Sequence, residues 1–127
     1  MLTQTQQGRT FQALHKRERA FTIPNPWDVG SARLLAHLGF EALAATSMGH
    51  ALSIGQRDNT VPRSRVLEHL SLMVSATNLP VSADLGNGFG DAPEIIAETI
   101  RFAVTAGVVG ASIEDATGVF GQPDLRP

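Results

Sequence analysis

Residues 80–91 read Pro80-Val81-Ser82-Ala83-Asp84-Leu85-Gly86-Asn87-Gly88-Phe89-Gly90-Asp91. Val81, Ala83 and Leu85 fall on one side of a short strand. Gly86, Gly88 and Gly90 then break the strand into a permissive loop, and a helical pattern begins within a few residues. Asp84 therefore marks the carboxyl end of a strand. Ligands bind at that edge in open α/β sheets, and catalytic groups lie there in parallel barrels. A carboxylate in such a place is costly unless it is solvated, paired or bound to a cation. Asp84 is thus a candidate metal ligand, and its companions decide the matter.

Working outward, the pattern repeats. Thr3 to Arg19 reads as a leading helix with Phe11, Leu14 and His15 on one face. Ala20 to Ile23 is a β-prone run stopped by Pro24-Asn25-Pro26-Trp27-Asp28. Asp28 can cap a helix from Val29 to Leu38, closed by Gly39. Phe40 to Ala45 is a second apolar strand, followed by a polar loop from Thr46 to Asn59. Ser64 can cap a helix carrying Val66, Leu67, Leu70, Met73 and Val74, and Leu79 to Leu85 is the third strand. Asp91, Pro93 and Glu94 read as the start of a helix bearing Ile95, Ile96, Ile100 and Phe102. Val108 to Ile113 is a fourth strand ending on Glu114-Asp115. Alternating helices and nearly continuous apolar strands predict a parallel sheet covered by helices. Right-handed crossovers put all four strand ends on one edge, which gathers Asn25, Asp28, Thr46, Ser47, Asp84 and Glu114.

Composition narrows the function. The 127 residues suit a single domain, with irregular sequence from 118 to 127, and the formal net charge is −2. No basic patch points to nucleic acid. The chain has no Cys, which excludes disulfides, thiolate catalysis and sulfur-ligated metal. No apolar run reaches the roughly 18 to 20 residues of a membrane span, and Met1 to Thr10 lacks a signal-peptide core. The expectation is a cytoplasmic protein that binds a small molecule, not a membrane.

Asp84 and Glu114 end consecutive strands, which lie about 5 Å apart in a paired sheet. Two unpaired carboxylates that close repel, and a hard divalent cation between them relieves the repulsion. The plainer alternative makes Asp84 a loop cap and Glu114 a partner of Arg101 or Arg57; spacing alone leaves both open. The Gly86-Asn87-Gly88-Phe89-Gly90 run is an incomplete dinucleotide fingerprint, and Asp84 just upstream would repel a phosphate unless a cation intervened; the plainer reading is that its glycines supply φ > 0 for a turn. Thr46, Ser47 and Gly49 form a hydroxyl-rich turn that can donate to a carboxylate or to nearby backbone. Asp58 is either a lid carboxylate or a solvated charge beside Arg57. His37 and His69 read as surface or boundary positions, and His15 as packed against the leading helix. His50 is the one histidine placed near the site, and Trp27 reads as a packing anchor or pocket wall rather than a catalytic group.

Four segments carry a resemblance: Phe21 to Ala32, Ala45 to Asp58, Pro80 to Asp91, and Gly107 to Thr117. In order and spacing the chain resembles the isocitrate lyase/phosphoenolpyruvate mutase superfamily, and is most similar to its small bacterial phosphoenolpyruvate mutase-like members. The resemblance implies a (β/α)8 TIM barrel that uses Mg²⁺ to bind a 2-oxo carboxylate and stabilise its enolate. A C–C or C–P bond then breaks or forms, as in a lyase or mutase. By position, Asp84 and Glu114 would hold the metal, and Thr46, Ser47, Gly49 and Asp84 would contact substrate. Thr46, Ser47 and Asp58 would act in catalysis, Asp58 from a mobile loop. Two departures stand out. The second acid usual two residues after the first is here Gly86, and the Cys motif of the isocitrate-cleaving branch is missing.

A full barrel takes about 250 residues, so the sequence predicts the amino-terminal half: a leading helix and four parallel strands with intervening helices, truncated. An open half-barrel is expected either to self-associate, covering its strand edge and inner face, or to be poorly stable. The rival expectations are a non-catalytic half-barrel remnant and, further off, a nucleotide-binding α/β domain.

Overall fold

Three parallel strands form the sheet in the order β1 (Leu43–Ala45), β2 (Val81–Asp84) and β3 (Gly110–Ser112). The computed structural model describes residues 2–119. Most of the irregular tail expected from 118 onward therefore lies outside the described residues. Around the sheet are α1 (Gln4–His15), α2 (Val29–His37), α3 (Ser47–Ser53), α4 (Arg63–Ala76) and α5 (Pro93–Ala106). The parallel α/β architecture is the one expected. Leu43 pairs with Val81 and Ala45 with Ala83; Ser82 pairs with Gly110 and Asp84 with Ser112.

The strand expected over Ala20 to Ile23 does not form a ladder. Pro24 has a carbonyl but no N–H, so it accepts one bond from Ala44 N–H, at 3.1 Å. The Asn25 side-chain amide adds a second, donating to the Ala44 carbonyl at 3.1 Å. The fourth expected strand shortens to β3. The polar loop expected from Thr46 to Asn59 contains a two-turn helix, α3, whose N-cap Thr46 accepts the Gly49 N–H at 3.2 Å. Asp28 caps α2 as expected, through a 2.6 Å bond from Ser31 N–H. Two other caps move: α4 starts from Pro62 rather than Ser64, and α5 from Ala92 rather than Asp91, neither with a side-chain cap bond. Pro93 occupies the first turn of α5, where its missing N–H costs nothing.

One face of the sheet is closed. Leu43, Ala45, Val81, Ala83 and Leu85 pack with Ala32, Val66, Leu70, Met73 and Ala103 from α2, α4 and α5 into one apolar cluster. Each large side chain buried there contributes roughly 1.5 to 3 kcal/mol. Helix α1 crosses the amino ends of the strands. Gln4 Nε2 donates to the carbonyls of Val104 and Val108, at 2.8 and 3.0 Å, and buried Gln7 donates to Asn78 at 3.2 Å. No helix of the described residues is long and apolar enough to cross a membrane.

Candidate active site

The alternate residues of the strands, Ala44, Ser82 and Asp84, face away from the helices into a cavity of about 400 Å³. Phe11 and His15 close it from the α1 side, and Thr46, Ser112 and Glu114 stand around it. His15 is exposed rather than packed inside a helical face, but its ring sits edge-on to Phe11 and Phe21, at 4.5 and 5.1 Å between centroids.

Asp84 ends β2 and is held on both oxygens. Its Oδ2 accepts from the Ser47 N–H and hydroxyl, at 3.2 and 2.8 Å, and its Oδ1 accepts the Gly86 N–H at 3.0 Å. Gly86 also accepts the Glu114 N–H on its carbonyl, at 2.7 Å. One glycine thus touches both candidate acids through its backbone. It adopts φ +53°, and a β-carbon there would lie 3.1 Å from Asn59 Oδ1. An acid at this position would need both a strained backbone and a displaced Asn59.

The register refines the expected pairing. Ser112 lies beside Asp84, and Glu114 follows two residues later, on the same side of the strand alternation. Glu114 is exposed, yet its carboxyl is pushed above the usual range by partial burial first and then by the charges of Asp84 and Asp58. Both side chains offer hard oxygen donors. Among the described residues no group of three or more His, Asp or Glu is placed to hold a metal ion.

Asp58 lies on the loop before α4 and lines a second cavity of about 270 Å³, with Ser47, Asn59, Gly86 and Asn87. Ser47 borders this cavity while its polar hydrogens point to Asp84, so it is the wall between the two spaces. Thr46 and Gly49 bond each other in the α3 cap. The amides of Gly86, Gly88 and Phe89 donate within their own loop, to Asp84, Leu85 and Asn87. Those three donors are therefore not arranged to cradle a phosphate.

His50 is not at the site. It is buried and stacked on His69, centroids 3.7 Å apart, so His69 is a core residue and not the surface or boundary position expected. The spacing of Val66, His69, Leu70 and Met73 at i, i+3, i+4 and i+7 was the available signal. His37 is exposed as expected, and Trp27 is half exposed. Ser82, Ser112 and Asn59 escaped the sequence reading; the first is legible as the partner of Asp84 in strand alternation.

Comparison with known proteins places this geometry. Residues 11–126 match the family described as phosphoenolpyruvate phosphomutase. A crystal structure of a protein from Burkholderia cenocepacia J2315, assigned as a lyase/mutase, superimposes with a TM-score of 0.92 at 58% identity, over 97% of this chain and 44% of that one. A second protein of that organism, assigned as a phosphonomutase, gives 0.89 at 37% identity, over 98% and 48%. The 2-methylisocitrate lyase of Halalkalibacterium halodurans is 33% identical over 106 residues, 83% of this chain and 35% of its own length. The chain thus spans less than half the length of these relatives. It belongs to the phosphoenolpyruvate phosphomutase family, within the isocitrate lyase/phosphoenolpyruvate mutase superfamily of barrel lyases and mutases.

Proposed function

We propose that this chain carries part of a lyase or mutase site for small 2-oxo carboxylates, of the oxaloacetate, phosphonopyruvate or phosphoenolpyruvate type. The observation that carries the reading is the sharing of one open cavity by Asp84 and Glu114 at the carboxyl end of the sheet. The donor set suits Mg²⁺, which takes one or two carboxylates and fills its remaining positions with water or substrate oxygens. Bound there, Mg²⁺ would supply positive charge to the negative charge that gathers on the substrate's oxo oxygen as a C–C or C–P bond breaks.

The chain's own residues do the rest. Asp84 and Glu114, which line the same cavity, would hold the cation. Ser47 fixes the aim of Asp84 with two donors, and Thr46 lines the cavity with the two acids. Gly49, assigned to substrate by the resemblance, lines neither of the two cavities and bonds its N–H to Thr46. Asp58 approaches from the loop before α4. Phe11 lines the cavity on the α1 side.

The test is Mg²⁺-dependent turnover: pyruvate from oxaloacetate, or phosphoenolpyruvate from phosphonopyruvate. Asp84→Ala and Glu114→Ala are each expected to lower it about 100-fold or more. Turnover indifferent to both changes removes the proposed roles. A second reading, a non-catalytic half-site that self-associates, is favoured by the lack of a three-ligand cluster among the described residues. The outer edge of β3, beside exposed Val104 and Ile113, is the surface it would use. Sedimentation of the same sample decides: a monomer without turnover defeats both readings.

A further inference from the structure

Thr99 has no solvent exposure, yet its hydroxyl joins three elements. Oγ1 accepts from Arg63 Nη1 at 3.1 Å, and lies 2.9 Å from the Gly88 carbonyl and 3.0 Å from the Ile95 carbonyl. Back-bonding to Ile95, four residues earlier, is common for a helical threonine. The bond to Gly88 is not, because Gly88 lies in the loop after β2. Arg63, at the start of α4, is itself fixed: Nη2 pairs with Glu98 at 2.8 Å, and the guanidinium sits 5.1 Å from the Phe102 ring centre.

The loop so anchored leads directly to the carboxylates. Gly88 donates its N–H to Leu85 at 3.0 Å, closing the turn around Gly86. Gly88 adopts φ +81°, and a β-carbon on it would meet Ile96 at 2.9 Å, so α5 grips the turn from outside as well. Within the turn, the Gly86 N–H fixes Asp84 and the Gly86 carbonyl fixes the Glu114 N–H. An unmade bond at a buried carbonyl is expensive, so the turn has little freedom while Thr99 is in place.

We propose that Arg63 and Thr99 are positioning residues: a relay from α4 through α5, buried at Thr99, that holds the Gly86–Gly88 turn, and so sets the separation and aim of Asp84 and Glu114. The inference rests on the reading of those two acids as a cation site. Its geometric half can be tested without a metal. Outer-shell partners of metal ligands are commonly worth 10- to 100-fold in affinity.

The experiment compares the full chain with Thr99→Val, Thr99→Ser and Arg63→Met, with Leu70→Ala as a core control outside the relay. Amide hydrogen exchange is read at Glu114 and Gly86, and Mn²⁺, the spectroscopic stand-in for Mg²⁺, is titrated by electron paramagnetic resonance. Thr99→Val is expected to speed exchange at Glu114 about fivefold or more and to weaken Mn²⁺ binding about tenfold. Thr99→Ser, which keeps the hydroxyl, restores both. Arg63→Met carries the same test should Thr99→Val not fold. Unchanged exchange at Glu114 in the folded variant overturns the relay, as does an equal loss of Mn²⁺ affinity in Leu70→Ala. Mn²⁺ binding untouched by Asp84→Asn and Glu114→Gln, alongside faster exchange in Thr99→Val, supports the relay and defeats the cation reading instead.

Discussion

Leu43, Ala45, Val81 and Ala83 are 3% exposed or less, while Ala44, Ser82 and Asp84, the alternate residues of the same strands, line an open cavity. On the closed face the side chains are small or branched hydrocarbons that fit against α2, α4 and α5. On the open face they are small, hydroxylated or acidic, and partial burial first, then the charges of Asp84 and Asp58, raise Glu114. The two faces hold different kinds of free energy. Burial holds the fold together from one side, and the other side keeps polar groups in reach of a ligand at a cost in local repulsion. That division is what a binding surface built on a rigid scaffold requires.

The most direct way to break the comparison is to truncate one residue on each face. Met73 is fully buried in the closed layer. Met73→Ala is expected to cost about 2 to 5 kcal/mol of unfolding free energy, by lost transfer energy plus a cavity. Ser82→Ala on the open face is expected to stay within about 0.5 kcal/mol. Urea denaturation of the two variants checks this, and similar losses from both would erase the distinction between the faces.

The closed layer was the more legible of the two, because its signal is periodic. Val81, Ala83 and Leu85 announce a strand face, and Val66, Leu70 and Met73 a helix face, before any coordinates. Asp84 and Glu114 were legible for a topological reason: parallel strands with right-handed crossovers end on one edge. What failed was local and short. Pro24 turns an apparent strand into a single hydrogen bond. Helix α3 hides in a polar stretch, its sole cue a Thr46 cap, because two turns carry too few residues to show a period. Thr99 reads as an indifferent helix residue, since nothing in its own helix says that Gly88 will arrive beside it.

A second test sharpens the contrast by asking what charge does to the closed layer. His50 and His69 are stacked there with both Nε2 atoms buried and without a partner among the described residues. Burial first, and His50 second, depress the His69 imidazole from 6.5 to about 4, against a smaller opposing pull from Asp28. Burial and Arg65 depress His50 as well. The unfolded chain therefore takes up a proton as pH falls below about 6.5, and the folded chain resists. Stability is full above that value and is lost between pH 6.5 and about 4. A loss of about 1 to 2 kcal/mol is expected between pH 7 and 5. His69→Phe, which keeps a ring on His50, is expected to flatten most of that slope. An equally steep slope in the variant would assign the acid sensitivity elsewhere.

The smallest expected effect lies on the open face and runs the other way. Glu114 has a raised carboxyl, so the folded chain holds its proton more tightly than the unfolded chain does. The stability linked to it is present below the ordinary glutamate range and fades as pH rises through the raised value. At neutral pH the ionised side chain is thus a mild liability, set by partial burial and by Asp84 and Asp58. Glu114→Gln keeps the shape and removes the charge. Because Glu114 is exposed and water screens it, the gain at pH 7 is expected to be about 0.5 kcal/mol or less, and it should shrink on acidification. Thermal melts at low and neutral pH read the sign. Destabilisation by Glu114→Gln at pH 7 would mean that the carboxylate is favourably paired, and the cavity would then lack the uncompensated negative charge that attracts a cation.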